Sequence, residues 1–316
     1  MSSVLIETKG LKKYFKTPRG MLHAVDDVDI AINAGETLGV VGESGCGKST
    51  LGRTLMRLLD ASGGSVCYEG NNILRYNKKE MLSMRRNMQM IFQDPFTSLN
   101  PRLSLGDIIA EPIKVTKIIE SKSEMKDRVH ELMDLCGLPQ RYYNTYPHEL
   151  DGGRRQRVGL ARALAVDPKF IVCDEPVSAL DVSIQAQILN LLMDLQQKKN
   201  LAFMFITHDL CVVKHISNYI AVMYLGQVVE YASKKDLFAN QLHPYTKALL
   251  SAIPTTDLSR RGQEGEILRG EVGNPINPKP GCRFATRCKF AAKECEQPQQ
   301  LREISKGHFV RCRMAG

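Results

Sequence analysis

The residues Gly42-Glu43-Ser44-Gly45-Cys46-Gly47-Lys48-Ser49-Thr50 fit the pattern G-x-x-x-x-G-K-[ST]. Glycines at those spacings let backbone N–H groups converge on phosphate oxygens, and a helix start behind them favours negative charge. Lys48 is then placed to pair with the β- and γ-phosphates of a nucleoside triphosphate, and the Ser49 hydroxyl to reach Mg²⁺. A second set of groups lies far downstream. Phe170-Ile171-Val172-Cys173-Asp174-Glu175 is an apolar run closed by two carboxylates. Asp174 is placed to organise Mg²⁺ and Glu175 to polarise a water. His208 ends another apolar run and is placed to touch the γ-phosphate, and Gln93 ends a third, within reach of a metal or its water.

These groups need strands to carry them to one edge. Glu36–Val41 reads as a buried strand feeding the glycine loop, and Leu51–Leu59 as the helix behind it. Met88–Phe92, Phe170–Cys173 and Ala202–Ile206 read as further buried strands. In an open α/β sheet, ligands bind at the carboxyl ends of the strands, where these polar residues fall. Val4–Thr8 and His23–Ile32 read as strands of a separate β layer, with Tyr14 and Phe15 before a polar loop through Gly20. An aromatic there could stack on a base. Leu105–Tyr146 has a helical pattern, with Val129, Leu132, Met133, Leu135 and Cys136 on one face. Gly152-Gly153 opens the helical run Val158–Val166, a second anion-favouring terminus. Ile220–Tyr224 and Gln227–Tyr231 read as a hairpin across Leu225-Gly226; Asp236–Phe238 and His243–Ile253 read as helical, and Thr255–Gly281 as a linker.

The bulk composition agrees with a globular α/β chain and an appendage. The chain has 316 residues, 43% of them apolar, and a net charge of +9. No segment approaches the roughly 20 apolar residues of a membrane span, and Met1–Val4 lacks the start of a signal peptide. A cytoplasmic protein is expected, with any membrane role resting on separate membrane partners. Residues 241–316 hold 13 Lys+Arg and 7 Asp+Glu, a surplus of +6. With no extended basic run and no aromatic ladder, that surplus reads as a solvated face rather than a nucleic-acid surface.

The order of these features resembles that of the ATP-binding subunits of ABC transporters, over about residues 4–250. More narrowly, Phe92–Pro95 with Ser98–Arg102, Cys173–Ser183 and His243–Thr246 resemble the oligopeptide/dipeptide importer ATPases, a subfamily that also serves nickel and metallophore uptake. The Cys-Asp-Glu-Pro-Val-Ser wording resembles the F member of the paired D and F subunits. The resemblance implies a P-loop ATPase fold with an antiparallel β subdomain and a helical subdomain near 94–160. The nucleotide-binding domain would span 1–253 and an importer-type extension 254–316. It implies ATP and Mg²⁺ as cofactors. Phe15 would stack on adenine, with Tyr14 a neighbouring candidate, and residues 42–50 would bind the phosphates. Ser49, Gln93 and Asp174 would hold Mg²⁺; Glu175 would be the catalytic base and His208 the switch histidine. Asp181 would lie in the D-loop of a dimer, and Asp151, Gly152 and Gly153 would form the signature facing the partner's ATP. The implied partners are a second ATPase subunit, two permease subunits and an extracytoplasmic substrate-binding protein, with no nucleic acid. The implied place is the cytoplasmic face of the membrane.

Leu150-Asp151-Gly152-Gly153-Arg154 departs from the family's usual Leu-Ser-Gly-Gly-Gln. A carboxylate facing a γ-phosphate costs about 4 kcal/mol at contact distance and an effective dielectric near 20. The site is then weakened unless Asp151 is protonated, turned away, or neutralised by Arg154 or Arg155. An asymmetric heterodimer is the expectation, its working site combining this P-loop with the partner's signature.

Cys282, Cys288, Cys295 and Cys312 place four of the nine cysteines within 31 residues. Their spacing is looser than a zinc knuckle, and four thiols suit Zn²⁺ or a [4Fe–4S] cluster. Among peptide-importer ATPases, the resembling extension implies the iron–sulfur cluster. Arg283, Arg287, Lys289, Arg311 and Arg313 lie beside these cysteines and would offset thiolate charge. Two rival classes are weaker. A soluble ABC ATPase acting on nucleic acid usually has two cassettes or a long coiled-coil insertion; an exporter ATPase is disfavoured by the Cys-containing extension and the Ser98–Arg102 loop.

Overall fold

Consecutive apolar residues buried on both faces make the inner strands, and period-two runs make the β layer. The computed structural model describes residues 4–252, 270 and 272–315. In chain order the elements begin with β1 (Val4–Thr17), β2 (Gly20–Asn33), β3 (Thr37–Val41), α1 (Lys48–Leu55), β4 (Gly63–Tyr68) and β5 (Asn71–Asn72). Then come α2 (Lys78–Met84), β6 (Met88–Ile91), α3 (Pro95–Ser98), α4 (Leu105–Thr116), α5 (Lys122–Leu135) and α6 (Gly152–Leu164). They continue with β7 (Phe170–Asp174), α7 (Val182–Lys199), β8 (Ala202–Ile206), α8 (Leu210–Ile216), β9 (Tyr219–Tyr224) and β10 (Gln227–Ser233). The last are α9 (Lys234–Ala239), α10 (Pro244–Ser251), β11 (Arg302–Ser305) and β12 (His308–Val310).

The chain divides into two units. One comprises residues 1–5, 32–36 and 75–205. In it β8, β7 and β6 lie side by side in that order, with β6 parallel to β7 in the register Met88↔Phe170 through Ile91↔Cys173. Every residue of β7 and β8 is buried, the pattern expected of strands covered on both faces. The expected helical stretch 105–146 is two helices and one short 3₁₀ turn, Gln140–Tyr142. Lys117, with φ 51°, ends α4, and Ser121 caps α5 by accepting from Glu124 N–H. Ile108, Ile109 and Ile113 of α4, Val129, Leu132 and Met133 of α5, and Val158 and Leu164 of α6 are buried, giving this unit a helical core.

The other unit comprises residues 6–31, 37–74 and 206–316. It holds an antiparallel layer in the order β2-β1-β4-β5 and a sheet in the order β11-β12-β10-β9-β3. β3 runs parallel to β9, and β9 and β10 form the expected hairpin, turning at Leu225 (φ 43°) and Gly226 (φ 83°). Tyr14 and Phe15 lie within β1, which runs unbroken to Thr17 in place of the short strand and loop expected. The C-terminal hairpin β11–β12 was not foreseen. It adds to the edge of β10, with Glu230 opposite Val310. Glu230, fully buried, accepts from Leu242 N–H (2.8 Å), His243 N–H (2.9 Å) and His308 Nε2 (2.8 Å).

Much of the expected linker Thr255–Gly281, the end of the expected helix at Ile253 and the boundary at 253/254 lie outside the described residues. Its described end is not loose. His23 N–H donates to Pro275 O at 3.0 Å, Asn277 N–H to Met21 O at 2.8 Å, and Leu22 bridges to Ile276, so residues 275–277 are tied to β2.

Candidate nucleotide site

The phosphate-binding motif forms a loop between β3 and α1. Gly42 and Gly47 are required by space as well as by dihedral angle. Gly42 has φ 153° and Gly47 φ 106°; a Cβ would meet Met223 O at 2.2 Å or Ala24 O at 2.0 Å. The loop wraps the Lys48 ammonium, which donates to Gly42 O (2.8 Å) and Glu43 O (3.0 Å) and is only 5% exposed. Ser49 and Thr50 follow in the first turn of α1, whose N-cap is Gly47. Burial pushes the Cys46 thiol up, so this cysteine fills the loop as an apolar group. Ser44 and Gly45 complete the loop's outer side, both exposed.

Three further expected residues lie in the same unit. Phe15 is half-buried on β1, with Lys13 Nζ 4.8 Å above its ring. Tyr14 stacks on His23 at 4.0 Å, and its hydroxyl donates to Asp26. His208 is exposed just before α8, between buried Thr207 and Asp209, which caps that helix by accepting from Cys211 N–H at 2.7 Å.

The other unit brings Gln93 and Glu175 together. The parallel register of β6 and β7 places Ile91 opposite Cys173, so two residues further on Gln93 and Glu175 are neighbours. Gln93 Nε2 donates to Glu175 Oε2 at 3.0 Å. Glu175 has φ 46°, a left-handed backbone uncommon outside glycine and a frequent mark of working sites. It turns the chain away from the strand end directly after Asp174, which is fully buried. A buried carboxylate, an amide and a half-buried carboxylate at one strand edge make a donor set of hard oxygen atoms, which fits Mg²⁺.

Asp151, Gly152 and Gly153 open α6, with Asp151 as its N-cap. Asp151 Oδ1 accepts from Arg154 N–H at 2.8 Å, and Arg154 Nη1 bonds Oδ2 at 2.6 Å. Arg154 is therefore the neutralising partner of the two weighed. Arg155 is occupied elsewhere, donating to Pro147 O at 2.6 Å with its guanidinium 3.5 Å over the Phe96 ring. Asp181 caps α7 by accepting from Ile184 N–H at 2.9 Å, and Val182 beside it is 84% exposed.

Cys282, Cys288, Cys295 and Cys312 all line one small cavity, with His243, Phe284 and Phe290 around them. All four are free thiols. Burial pushes Cys282 up to about 11 and raises Cys288, and in both cases the neighbouring thiols add to the rise. Among the described residues no group of three or more His, Cys, Asp or Glu is arranged to hold a metal ion.

Residues that sequence reasoning missed brace the phosphate loop. Tyr245 OH accepts from Glu43 N–H at 3.0 Å, and Arg287 Nη1 donates to Glu43 Oε1 (3.0 Å) and Oε2 (2.8 Å). Arg283 donates to Asp26 and to Leu225 O. The basic flanks of the cysteines signalled charge in the extension, but nothing local pointed to partners more than 200 positions away.

The family model for ABC transporters matches residues 25–178, and the model for the oligopeptide/dipeptide transporter C-terminal region matches residues 229–295. The oligopeptide transport ATP-binding protein OppF of Bacillus subtilis is 50% identical over 313 residues, covering 99% of this chain and 97% of that one. The chain belongs to the ABC transporter ATP-binding family. OppF of Salmonella typhimurium is 49% identical over 310 residues, covering 98% of this chain and 93% of its own. The dimeric ATP-binding cassette MJ0796, solved in a post-hydrolysis state with ADP and Pi, aligns with a TM-score of 0.67. It is 28% identical and covers 73% of this chain and 99% of its own. This ABC ATPase thus hydrolyses ATP, and its fold is the mixed α/β cassette expected, with antiparallel and helical parts. No helix among the described residues is long and apolar enough to cross a membrane.

Proposed function

We propose that this ABC ATPase powers uptake of oligo- or dipeptides through two partner permease subunits fed by an extracytoplasmic binding protein. End-to-end likeness to two oligopeptide transport ATP-binding proteins, including the importer-type C-terminal region, supports this substrate class. The chain acts from the cytoplasmic face, joined to a second ATPase subunit.

Within that reading the single observation that carries the chemistry is Glu175. It sits at a buried strand end in a strained backbone, with Gln93 on its carboxylate. Glu175 orients and polarises the attacking water as general base. Lys48 and N–H groups of the 42–50 loop other than those of Glu43 and Cys46, which bond within the protein, bind the phosphates, and the Lys48 ammonium offsets charge on the β,γ-bridge. Ser49, Gln93 and Asp174 would hold Mg²⁺, which would supply Lewis-acid charge neutralisation when bound. His208 steadies the γ-phosphate, and Phe15 stacks on adenine; Tyr14 is committed to Asp26. Asp181 belongs to the dimer face, and Asp151, Gly152 and Gly153 face the partner's nucleotide. The division into a nucleotide-binding domain through 253, a helical subdomain near 94–160 and an extension from 254 is part of the same proposal.

The heterodimer is asymmetric, with the asymmetry reduced because Arg154 offsets much of the charge that Asp151 brings. The four cysteines are read as one thiol set. Their sulfurs line one cavity and are the donor type that an iron–sulfur cluster or Zn²⁺ takes, although they are not drawn together into a ligand set. The test of the whole reading is uptake by the reconstituted complex in vesicles, with a peptide panel and nickel. ATP-dependent peptide accumulation supports it, and nickel uptake without peptide uptake overturns the substrate class.

A further inference from the structure

A phosphate-binding loop is an unfavourable place for a carboxylate. Glu43 nevertheless stands second in this one, immediately after Gly42. Its backbone N–H is fixed by Tyr245 OH, and its carboxylate is gripped through both oxygens by Arg287 Nη1. The Arg287 side chain is 6% exposed and that of Glu43 25%, so the pair is sheltered from solvent screening.

Arg287 is itself held firmly. It ends the 3₁₀ turn Ala285–Arg287, directly before Cys288. Phe284, one residue before that turn, packs edge-on against Tyr224 at 5.3 Å and tilted against Tyr245 at 5.4 Å. The guanidinium lies 5.9 Å over the Tyr224 ring. The C-terminal extension therefore delivers one fixed positive charge to the phosphate loop.

We propose that Arg287 is a positioning residue of the nucleotide site. Its guanidinium cancels the Glu43 carboxylate, which would otherwise repel the triphosphate. The inference rests on the reading that residues 42–50 bind ATP phosphates and adds a charge switch to it. An uncancelled unit charge within about a nanometre of a triphosphate, at an effective dielectric near 20, weakens binding by roughly tenfold or more. The loss should follow ligand charge: larger for ATP than for ADP, and smaller again for AMP.

The test is equilibrium binding of ATP, ADP and AMP to the full chain, by isothermal titration. R287A should weaken ATP about tenfold, R287K should recover part of the loss, and E43Q/R287A should return to within about twofold of the parent chain. E43Q alone, which keeps Arg287 and so does not depend on the Arg variants folding, should tighten ATP about threefold or more. K306A removes a charge from the exposed β11–β12 turn and should change nothing. The proposal is overturned if R287A binds ATP as the parent does. It is equally overturned if E43Q fails to rescue R287A, or if ATP and AMP lose affinity alike. Failure of the parent chain to bind ATP would instead sink the reading of residues 42–50.

Discussion

Asp151 and Arg154 form an ion pair across the first turn of α6, 2.6 Å between Oδ2 and Nη1, while the same carboxylate caps the helix through Arg154 N–H. One side chain thus caps the helix, as a serine at that position could, and its added charge is balanced three residues later. Ser and Asp are close in N-cap quality, which explains how the departure is accommodated in the fold.

The pair yields a directional prediction. In the assembled ATPase, R154A should uncover the Asp151 charge and lower ATP turnover by about tenfold, as expected for a unit charge near phosphate in a partly screened site. D151S in that background should restore most of the rate. Steady-state ATPase assays of the complex check both, and a D151S/R154A double variant as slow as R154A would show that the carboxylate is not responsible. D151A should instead cost about 1 kcal/mol of stability through the lost cap.

Glu175 and Gln93 should separate binding from turnover. E175Q should reduce hydrolysis by roughly 10²–10⁴-fold, the range of a lost general base, while ATP binding persists. Comparing this loss with that of the matching change in the partner ATPase tests asymmetry; equal losses argue against it. Q93A should lower turnover less than E175Q, because on the proposed roles it removes one Mg²⁺ ligand and the amide on Glu175 but leaves the general base in place.

The Tyr14–Asp26–Arg283 cluster should make stability depend on acid pH. Burial acts to raise the Asp26 carboxyl, but the Tyr14 hydroxyl, the Arg283 guanidinium and His23 outweigh it and hold the pKa below the ordinary value. The folded state therefore binds this proton less readily than the unfolded state. Asp26 contributes stability that is present above the unfolded carboxylate pKa and is lost as pH falls through the folded one. Thermal melts from pH 7 downward should show a decline below about pH 4, which D26N flattens. D26N should also cost about 3–5 kcal/mol at neutral pH, because Arg283 would be left buried without its carboxylate.

The four-thiol cavity is tested by composition. Protein purified without oxygen should carry sulfur-ligated iron with visible absorption, or zinc at about one per chain with none. Colourless, metal-free protein would reduce the set to buried thiols. Any metal found should be lost from C288S/C295S together with part of the ATP affinity, since Cys288 follows Arg287 directly.

The parts of the fold that could be read from sequence have local causes. β3, β7 and β8 are runs of apolar residues buried on both faces, and the Gly42–Thr50 loop must follow one of them. Gln93, Asp174 and Glu175 were legible because a parallel strand ends where its apolar run ends. The parts not legible are set by tertiary pairing. Arg302-Glu303-Ile304-Ser305 has no strand signal of its own and becomes β11 by pairing with β12. Phe15 reads as lying between a short strand and a loop, and joins β1 because that strand is extended beside β2 in the sheet. Glu43 reads only as a loop residue until Arg287 arrives from 244 positions away.

The hairpin β11–β12 also has a consequence for how the chain is made. Strand β12 satisfies the outer edge of β10, and its residues are synthesised well after those of β10, as Glu230 opposite Val310 shows. Until they emerge, β10 presents unpaired N–H and C=O groups that can template pairing with another nascent chain. This later hairpin therefore acts as a quality mark. Chains cut short before residue 302 should accumulate in aggregates with the cassette already formed, whereas chains that reach residue 310 can close their own sheet.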